Sequence, residues 1–329
     1  MLPTMIEDVL AIPDHIRDAL WRCETADLDR LEAEGLFVCG MGGSAVGGDL
    51  ARAILGDRLS APLEICRSGL LPSWAGPEHA ALVVSYSGGT EESLAAFEQA
   101  GTAGLHRWVV TTGGRLGEQA RAAAVGVVGL PGFLQPRAAV AYTTVSAAVA
   151  AAHAGIAPGI EKELEAAADG LDAAAPELQS VGSEIAGKLG DRPTVIHGQG
   201  TTVPVARRWA TQLNENAKRF AFPVEMPEAS HNLIEAWVAD GTALNAVFLA
   251  DPWAGPEDRA RFDAAREIVA DAGVETVEVD TGGETRSESV FRAVMLGDFV
   301  SLDLAERLGV EPGPVRAIER FKAKVGGSG

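Results

Sequence analysis

The sequence predicts an α/β protein with two parallel sheets, each flanked by helices in a doubly wound, flavodoxin-like arrangement. Short apolar runs alternate with helical patterns in both halves of the chain, which is typical of parallel strands joined by helices. A long helical segment with a polar face separates the two halves. The chain has 329 residues and is 47% hydrophobic, so each half can bury a core of its own.

The first half contains five predicted strands joined by helices. The strands are Leu36–Cys39, Leu63–Cys66, Ala81–Ser85, Trp108–Thr111 and Val125–Gly129. The helices are Ala45–Ile54, Glu91–Ala100, Leu116–Ala124 and an alanine-rich helix over about Ala138–Ala152. We therefore divide this part of the chain into an N-terminal helical segment (1–35) and a first domain (36–157).

The second half repeats the alternation after a connecting helical segment (158–190), which we expect Pro176 to interrupt. The strands are Thr194–His197, Ala243–Leu249 and Glu275–Val279, and the helices are Val203–Lys218, Pro256–Ala272 and Glu288–Leu308. These elements form a second domain (191–325). The closing glycine-rich residues (326–329) are expected to be a flexible tail.

The charge of the chain limits its partners. It carries 46 acidic and 27 basic residues, a net charge of −19 spread along its length, so a nucleic-acid partner is not expected. Any attraction for phosphate must be local, from helix N-termini and a few placed cations. The first 20 residues lack the pattern of a secretory signal, and no apolar run is long enough for a membrane span. Three unpaired cysteines suit a reducing cytoplasm.

Two loops have the composition of anion-binding turns. The first predicted strand runs into a glycine-rich segment (40–48), and the third runs into Ser85-Tyr86-Ser87-Gly88-Gly89-Thr90, each just before a helix. Glycines let the backbone approach an anion, and helix N-termini offer N–H donors. Tight βα turns and ordinary helix caps are the alternative explanation. The candidate phosphate ligands are Gly43, Ser44, Ser85, Ser87 and Thr90.

A dinucleotide-binding oxidoreductase is a competing hypothesis. Gly40, Gly42 and Ala45 match the Gly-x-Gly-x-x-Gly/Ala pattern, and Glu64 follows at a suitable spacing for a ribose contact. However, Glu64 falls inside the second predicted strand instead of at its carboxyl end. The second hydroxyl-rich loop also favours a single phosphate monoester.

With both loops considered, the sequence resembles the sugar isomerase (SIS) domain, whose hallmark is a Ser-x-Ser-Gly-x-Thr phosphate loop. The segments Trp209–Lys218 and Pro227–Asn232, followed by Trp237, narrow the resemblance to the bifunctional phosphoglucose/phosphomannose isomerase family. The resemblance implies two tandem SIS domains, a homodimer, and no metal or cofactor. It also implies interconversion of glucose 6-phosphate or mannose 6-phosphate with fructose 6-phosphate.

The resemblance assigns Glu215 as the base that moves a proton between C1 and C2 of the substrate. The flanking Asn214 and Asn216 would hold its carboxylate and the substrate hydroxyls. His231 would open the sugar ring from the neighbouring subunit, since an imidazole gains and loses a proton near neutral pH. An ordinary polar network for Glu215 and a capping or core role for His231 are the alternatives.

Two cations complete the implied site. Arg137 would stabilise the negative charge of the enediolate, although a solvent-facing position in a first helical turn is the alternative. Lys322 would assist ring opening, with Lys324 as a competing choice.

The sequence departs from the family pattern at two places. The phosphate loop has Gly89 where the family has asparagine, which keeps the hydroxyls. The stretch 310–322 has no serine or threonine, so the mannose epimer is less firmly implied than the glucose epimer. A non-catalytic protein that senses sugar phosphates is the alternative function, and ligand binding without turnover would identify it.

Overall fold

The computed structural model describes residues 4–326 of the chain. The predicted N-terminal helical segment contains α1 (Met5–Leu10) and α2 (Ile12–Thr25). Thr4 caps α1: its hydroxyl accepts a hydrogen bond from the Glu7 N–H, and the Glu7 carboxylate accepts one from the Thr4 N–H. Apart from Gly326, the predicted tail at 326–329 lies outside the described residues.

The first sheet has five parallel strands in the order β2-β1-β3-β4-β5. Its strands are β1 (Leu36–Cys39), β2 (Leu63–Cys66), β3 (Ala80–Ser85), β4 (His106–Thr111) and β5 (Gly126–Gly129). Its helices are α3 (Gly43–Leu55), α4 (Glu91–Thr102), α5 (Gly114–Ala122) and α6 (Val140–His153). All the predicted strands and helices of this half are present. Strands β1 and β3 are buried throughout, which explains their continuous apolar sequence.

The connecting segment is one helix, α7 (Glu161–Leu189), and the prediction that Pro176 interrupts it was wrong. Pro176 lies on the exposed face of the helix, between the buried Leu171 and Leu178. Water can therefore hydrate the carbonyl of Asp172, which loses its donor to the proline, and the buried face remains continuous.

The second sheet has four parallel strands in the order β7-β6-β8-β9. Its strands are β6 (Thr194–Gln199), β7 (Ala221–Met226), β8 (Asn245–Leu249) and β9 (Glu275–Val279). Its helices are α8 (Val203–Gln212), α9 (Leu233–Asp240), α10 (Pro256–Asp271), α11 (Arg286–Arg307) and α12 (Arg316–Gly326). The sequence analysis missed β7, α9 and α12. Strand β7 contains Pro223, and this proline is tolerated because β7 is an edge strand of the sheet.

One hydrophobic core joins the two halves. It contains residues of α2, α3, α6, α7, α8 and α11, together with the facing sides of both sheets. The domain limits proposed from sequence, 36–157 and 191–325, stay a prediction. Within the described residues, no helix is both long and apolar enough to cross a membrane.

Candidate active site

The two predicted anion loops lie side by side at the carboxyl edge of the first sheet. Strands β1 and β3 are neighbours, and the sheet order reverses between them, which is where open α/β sheets bind ligands. The first loop packs against the end of β3, from which the second loop begins: a Cβ atom added to Gly40 would lie 3.0 Å from the Val84 carbonyl oxygen. The first loop leads into α3 at Gly43, and the second leads into α4 at Glu91.

Both helices begin without a side-chain cap. Gly42, which has no side chain, precedes α3, and the Thr90 side chain that precedes α4 accepts no hydrogen bond from the first turn. The Thr90 hydroxyl instead accepts one from the Ser85 hydroxyl at 3.1 Å. The ordinary capping explanation for Thr90 therefore does not hold. The first-turn N–H groups of α4 have no partner in the preceding turn and suit an anion.

The second loop is held in its conformation by internal hydrogen bonds and by close packing. The Gly88 N–H donates to the Ser85 hydroxyl at 3.1 Å, and the Gly89 N–H donates to the Ser87 hydroxyl at 3.3 Å. Gly88 has φ +67°, and a Cβ there would lie 1.9 Å from the Gly113 carbonyl oxygen. Only glycine fits this position.

Arg137 is buried between the two halves of the molecule, not exposed to solvent. It lies in a 3₁₀ turn, Pro136–Ala139, before α6. Gly43 packs against it, since a Cβ there would lie 3.5 Å from the Arg137 Cα. Arg137 Nη1 lies 3.5 Å from Glu215 Oε2. Burial lowers the pKa of Arg137, while the Glu215 carboxylate opposes this change.

Glu215 lies in a π-helical turn, Leu213–Ala217, that follows α8. Such turns are rare and frequent at functional sites. Its side chain is 31% exposed and lines a cleft of about 430 Å³. The other cleft residues belong to the second half of the chain: Asn214, Lys218, Glu311, Pro314, Val315, Arg316, Ala317 and Ile318. Arg137 is therefore the connection between Glu215 and the first loop.

The two asparagines beside Glu215 do not hold its carboxylate. The Asn214 side chain exchanges two hydrogen bonds with the backbone of Ala221, at 2.9 and 3.2 Å. Asn216 Oδ1 accepts from Arg137 Nε at 2.9 Å, and Asn216 Nδ2 donates to Ser301 Oγ at 2.9 Å. The first asparagine fixes the π-helical turn to β7, and the second orients the arginine.

Sequence analysis missed Lys218, a second cation beside Glu215. It lies one residue past the π-helical turn, with φ +55°. Its ammonium group donates to the Glu215 carbonyl and, at 2.9 Å, to the carbonyl of Pro314. Burial, the largest cause, and Arg137 together lower the pKa of Lys218. The sequence did offer one indication of this role, because Lys218 ends the Asn-Glu-Asn-Ala-Lys segment that contains Glu215.

A buried ion pair beneath Arg137 was also missed. Arg208 donates to both carboxylate oxygens of Asp298, at 2.6 and 3.1 Å, and to the Arg137 carbonyl at 3.1 Å. Gln212 adds a third hydrogen bond to Asp298 at 2.9 Å. Each residue stands in an otherwise ordinary helical pattern, so the sequence alone gave no sign of the pair.

The remaining two candidates, His231 and Lys322, are exposed and do not line the cleft that contains Glu215. His231 is exposed in the 3₁₀ turn Glu228–His231, and its side chain forms no hydrogen bond or ion pair with the described residues. Lys322 is exposed on α12, the helix whose first turn, including Ile318, lines the cleft.

The second sheet does not repeat the open anion loops. At its corresponding edge, between β6 and β8, the Asp251 carboxylate accepts hydrogen bonds from Thr201 N–H at 3.0 Å and the Thr201 hydroxyl at 2.6 Å. The Trp253 N–H adds another at 2.9 Å. The Asp251 carboxylate thus already accepts hydrogen bonds from the N–H and hydroxyl groups that could otherwise bind an anion at this edge. Glu64 is paired with Phe37 inside β2, which gives the dinucleotide hypothesis no support.

Two parallel sheets of these orders, with the open loops at the switch point of the first, define an α/β protein of the sugar isomerase (SIS) fold. A solved structure agrees: tagatose-6-phosphate ketose/aldose isomerase from Escherichia coli superposes with a TM-score of 0.70 at 18% identity. That match covers 94% of this chain and 95% of the other.

Sequence comparison gives the family. A family profile described as the bacterial phospho-glucose isomerase C-terminal SIS domain matches residues 178–325. A bifunctional phosphoglucose/phosphomannose isomerase of Thermoplasma acidophilum is 31% identical over 97% of this chain and 96% of its own length. The protein of that name from Caldicellulosiruptor bescii is 28% identical over 98% of both chains. This chain belongs to the bifunctional phosphoglucose/phosphomannose isomerase family.

Proposed function

We propose that this protein is an aldose–ketose isomerase that converts glucose 6-phosphate and mannose 6-phosphate to fructose 6-phosphate. The observation that carries the proposal is the buried Arg137. It contacts the first anion loop at Gly43 on one side and the Glu215 carboxylate on the other. A phosphate held at the loops would thus place its sugar beside a carboxylate and a fixed positive charge.

The proposed chemistry begins when the phosphate is bound by the loop hydroxyls and backbone N–H groups. In the open-chain aldose, the Glu215 carboxylate removes the proton from C2. The electron pair moves to the carbonyl, and the resulting cis-enediolate carries its negative charge beside Arg137. The hydroxyl proton then passes from O2 to O1, and Glu215 returns the carbon-bound proton to C1 to give the ketose. The proton and both electrons are conserved, and no oxidant is required.

Ring opening requires a group that exchanges a proton with the ring oxygen or the anomeric hydroxyl. We propose that the protein is a homodimer in which His231 of one subunit serves the site of the other. Exposed aromatic side chains lie near it in sequence, with Phe220 72% and Phe222 51% exposed on and beside the edge strand β7. Such a surface suits burial against a second copy.

We propose Lys322 as the second ring-opening group. Residues four apart share one face of a helix, and Ile318 lines the cleft beside Glu215. Around the axis of α12, Lys322 lies about 40° from Ile318, whereas Lys324 lies about 120° from it.

Glucose 6-phosphate is expected to be converted faster than mannose 6-phosphate. The two epimers differ in the face of C2 that carries the proton, so a polar group is needed to serve the second face. The stretch 310–322 offers no hydroxyl. Since all three cysteines are free, we also propose a reducing cytoplasm as the compartment.

A coupled assay with fructose 6-phosphate tests the catalytic assignment. Glu215→Gln should lower kcat about 10²–10⁴-fold, because the amide cannot accept the proton. Glu311→Gln is the matched control, because Glu311 lines the same cleft and has no proposed role. Equal loss in both variants, or normal turnover in Glu215→Gln, would remove Glu215 from its role. Ligand-induced stabilisation without turnover in the wild type would favour the sensor alternative.

Subunit complementation tests the position of His231. Glu215→Gln and His231→Ala homodimers, each inactive, are mixed and allowed to exchange subunits. If His231 acts across the interface, each heterodimer contains one intact site, and activity should rise to about a quarter of wild type. A mixture that stays as inactive as its parents would place His231 in the site of its own subunit or outside it.

A further inference from the structure

We propose that Tyr86 is a positioning residue that links phosphate binding to the placement of Arg137. This inference rests on the proposed isomerase function. It concerns a residue to which the sequence analysis gave no role. Tyr86 stands inside the second anion loop, between the phosphate candidates Ser85 and Ser87.

The Tyr86 hydroxyl makes two hydrogen bonds to one distant segment. It donates to the carbonyl of Pro131 at 2.8 Å and accepts from the Leu134 N–H at 2.9 Å. Both partners belong to the stretch 130–135, which connects β5 to the 3₁₀ turn that contains Arg137. The second bond is made three residues before Arg137.

This stretch is held by two kinds of contact: Leu130 and Leu134 are buried in the hydrophobic core, and Tyr86 supplies hydrogen bonds. Within the described residues, Tyr86 is the source of the side-chain hydrogen bonds made to residues 130–135. The stretch contains Gly132 and the exposed Phe133, and it has no regular secondary structure before Pro136. Between these two leucines, the Tyr86 hydroxyl therefore fixes the backbone by hydrogen bonds just before Arg137.

The main chain of Tyr86 is fixed as firmly as its hydroxyl. Its carbonyl accepts from the Thr112 N–H at 3.1 Å and from the Thr112 hydroxyl at 2.8 Å. Burial raises the pKa of Tyr86, so its hydroxyl stays protonated at neutral pH and can donate to Pro131. The tyrosine thus joins three successive βα connections at the same edge of the sheet.

The arrangement lets phosphate binding act on the reacting end of the substrate. A phosphate on Ser85 and Ser87 fixes the loop, and the rigid tyrosine between them fixes the backbone before Arg137. The guanidinium is held from the other half by Asn216 and by the carbonyl of Pro312, at 2.9 Å each. Binding energy from the non-reacting phosphate is thereby used to align the charge that stabilises the enediolate.

The two tyrosines of the chain provide a matched pair of variants. Tyr86→Phe removes both bonds to residues 130–135 and keeps the ring. Tyr142→Phe removes a similar bond, 2.8 Å to Asp18, which lies on α2 and not in residues 130–135. We measure kcat and KM for fructose 6-phosphate, and inhibition by inorganic phosphate. Tyr86→Phe should lose about tenfold in kcat with phosphate inhibition unchanged within about twofold, and Tyr142→Phe should keep its kcat.

A double-mutant cycle separates positioning from a general structural effect. In an Arg137→Lys background, Tyr86→Phe should cause almost no further loss of kcat. The guanidinium that Tyr86 helps to align is already absent from that variant. An undiminished loss in that background, or equal losses for Tyr86→Phe and Tyr142→Phe, would overturn the proposal. So would weakened phosphate inhibition with normal kcat. A wild type without turnover would refute the proposed function itself, and the role of Tyr86 with it.

Discussion

Replacement of Asp298 by alanine should cause one of the largest losses of stability of any single change in this protein. Asp298 accepts three hydrogen bonds, two from Arg208 and one from Gln212. The Arg208 side chain is only 2% exposed. Without the carboxylate, its buried positive charge keeps a single neutral partner, the carbonyl of Arg137.

The expected cost is about 3–5 kcal/mol, which is typical when one partner of a buried ion pair is removed. An unfolding entropy of about 2.1 cal/mol/K per residue gives roughly 0.7 kcal/mol/K for a chain of this length. The midpoint of thermal unfolding should therefore fall by about 4–7 °C if the chain unfolds as one unit. Circular dichroism during heating, together with urea titration at constant temperature, measures both quantities.

Asp303→Ala is the matched control, because Asp303 lies on the same helix and pairs with the more exposed Arg307. That change should cost at most about 1 kcal/mol. The double variant Arg208→Met/Asp298→Leu should recover most of the loss, since no charge then remains buried. Equal effects of the two alanine variants would refute the idea that Asp298 neutralises a buried charge, since Asp303 pairs with the more exposed Arg307.

Three further outcomes are expected. Gly88→Ala should weaken inhibition by inorganic phosphate at least about tenfold, because the new Cβ would clash with the Gly113 carbonyl. Arg137→Lys should lower kcat about 10²–10³-fold with little change in KM, because an ammonium group cannot reproduce the planar fork of hydrogen bonds. Burial lowers the pKa of His197 to about 4. The free energy of unfolding, measured by urea titration, should therefore fall as the pH falls from about 6.5 toward 4, and it should fall less in His197→Gln.

Each of these outcomes has a comparison that could overturn it. Gly129→Ala adds a Cβ with no neighbour within 4 Å and should leave phosphate inhibition unchanged. A loss of substrate affinity without loss of kcat in Arg137→Lys would make the arginine a binding group only. A pH dependence of stability that is identical in the wild type and in His197→Gln would show that protonation of other groups dominates this range.

The strands of the first sheet and both anion loops could be predicted because each is encoded locally. A run such as Leu36–Cys39 is buried on both faces, so every side chain in it is apolar, and the glycines that follow mark the loop. Strand β7 was missed because it lies at an edge and contains the exposed Phe222 and Pro223. Such a stretch resembles a loop when only local composition is read.

The contacts among the site residues could be predicted from the sequence less well than the location of the site. The resemblance pointed to Arg137 and Glu215, yet their separation of 3.5 Å results from packing between residues 78 positions apart. The roles of Asn214 and Asn216 also differ from expectation, because their partners, Ala221 and Ser301, are brought near only by the fold. Sequence spacing within one helical turn does not reveal such contacts.

Proton transfer by Glu215 can be observed as deuterium uptake from solvent. Fructose 6-phosphate is incubated in D₂O with the wild type, Glu215→Gln and Glu311→Gln, and the sugar phosphates are followed by NMR. The wild type and Glu311→Gln should place deuterium at C1 of the ketose and C2 of the aldose. Glu215→Gln should exchange at less than about one hundredth of that rate while still binding the substrate. Exchange in Glu215→Gln at the wild-type rate would mean that another group removes the proton.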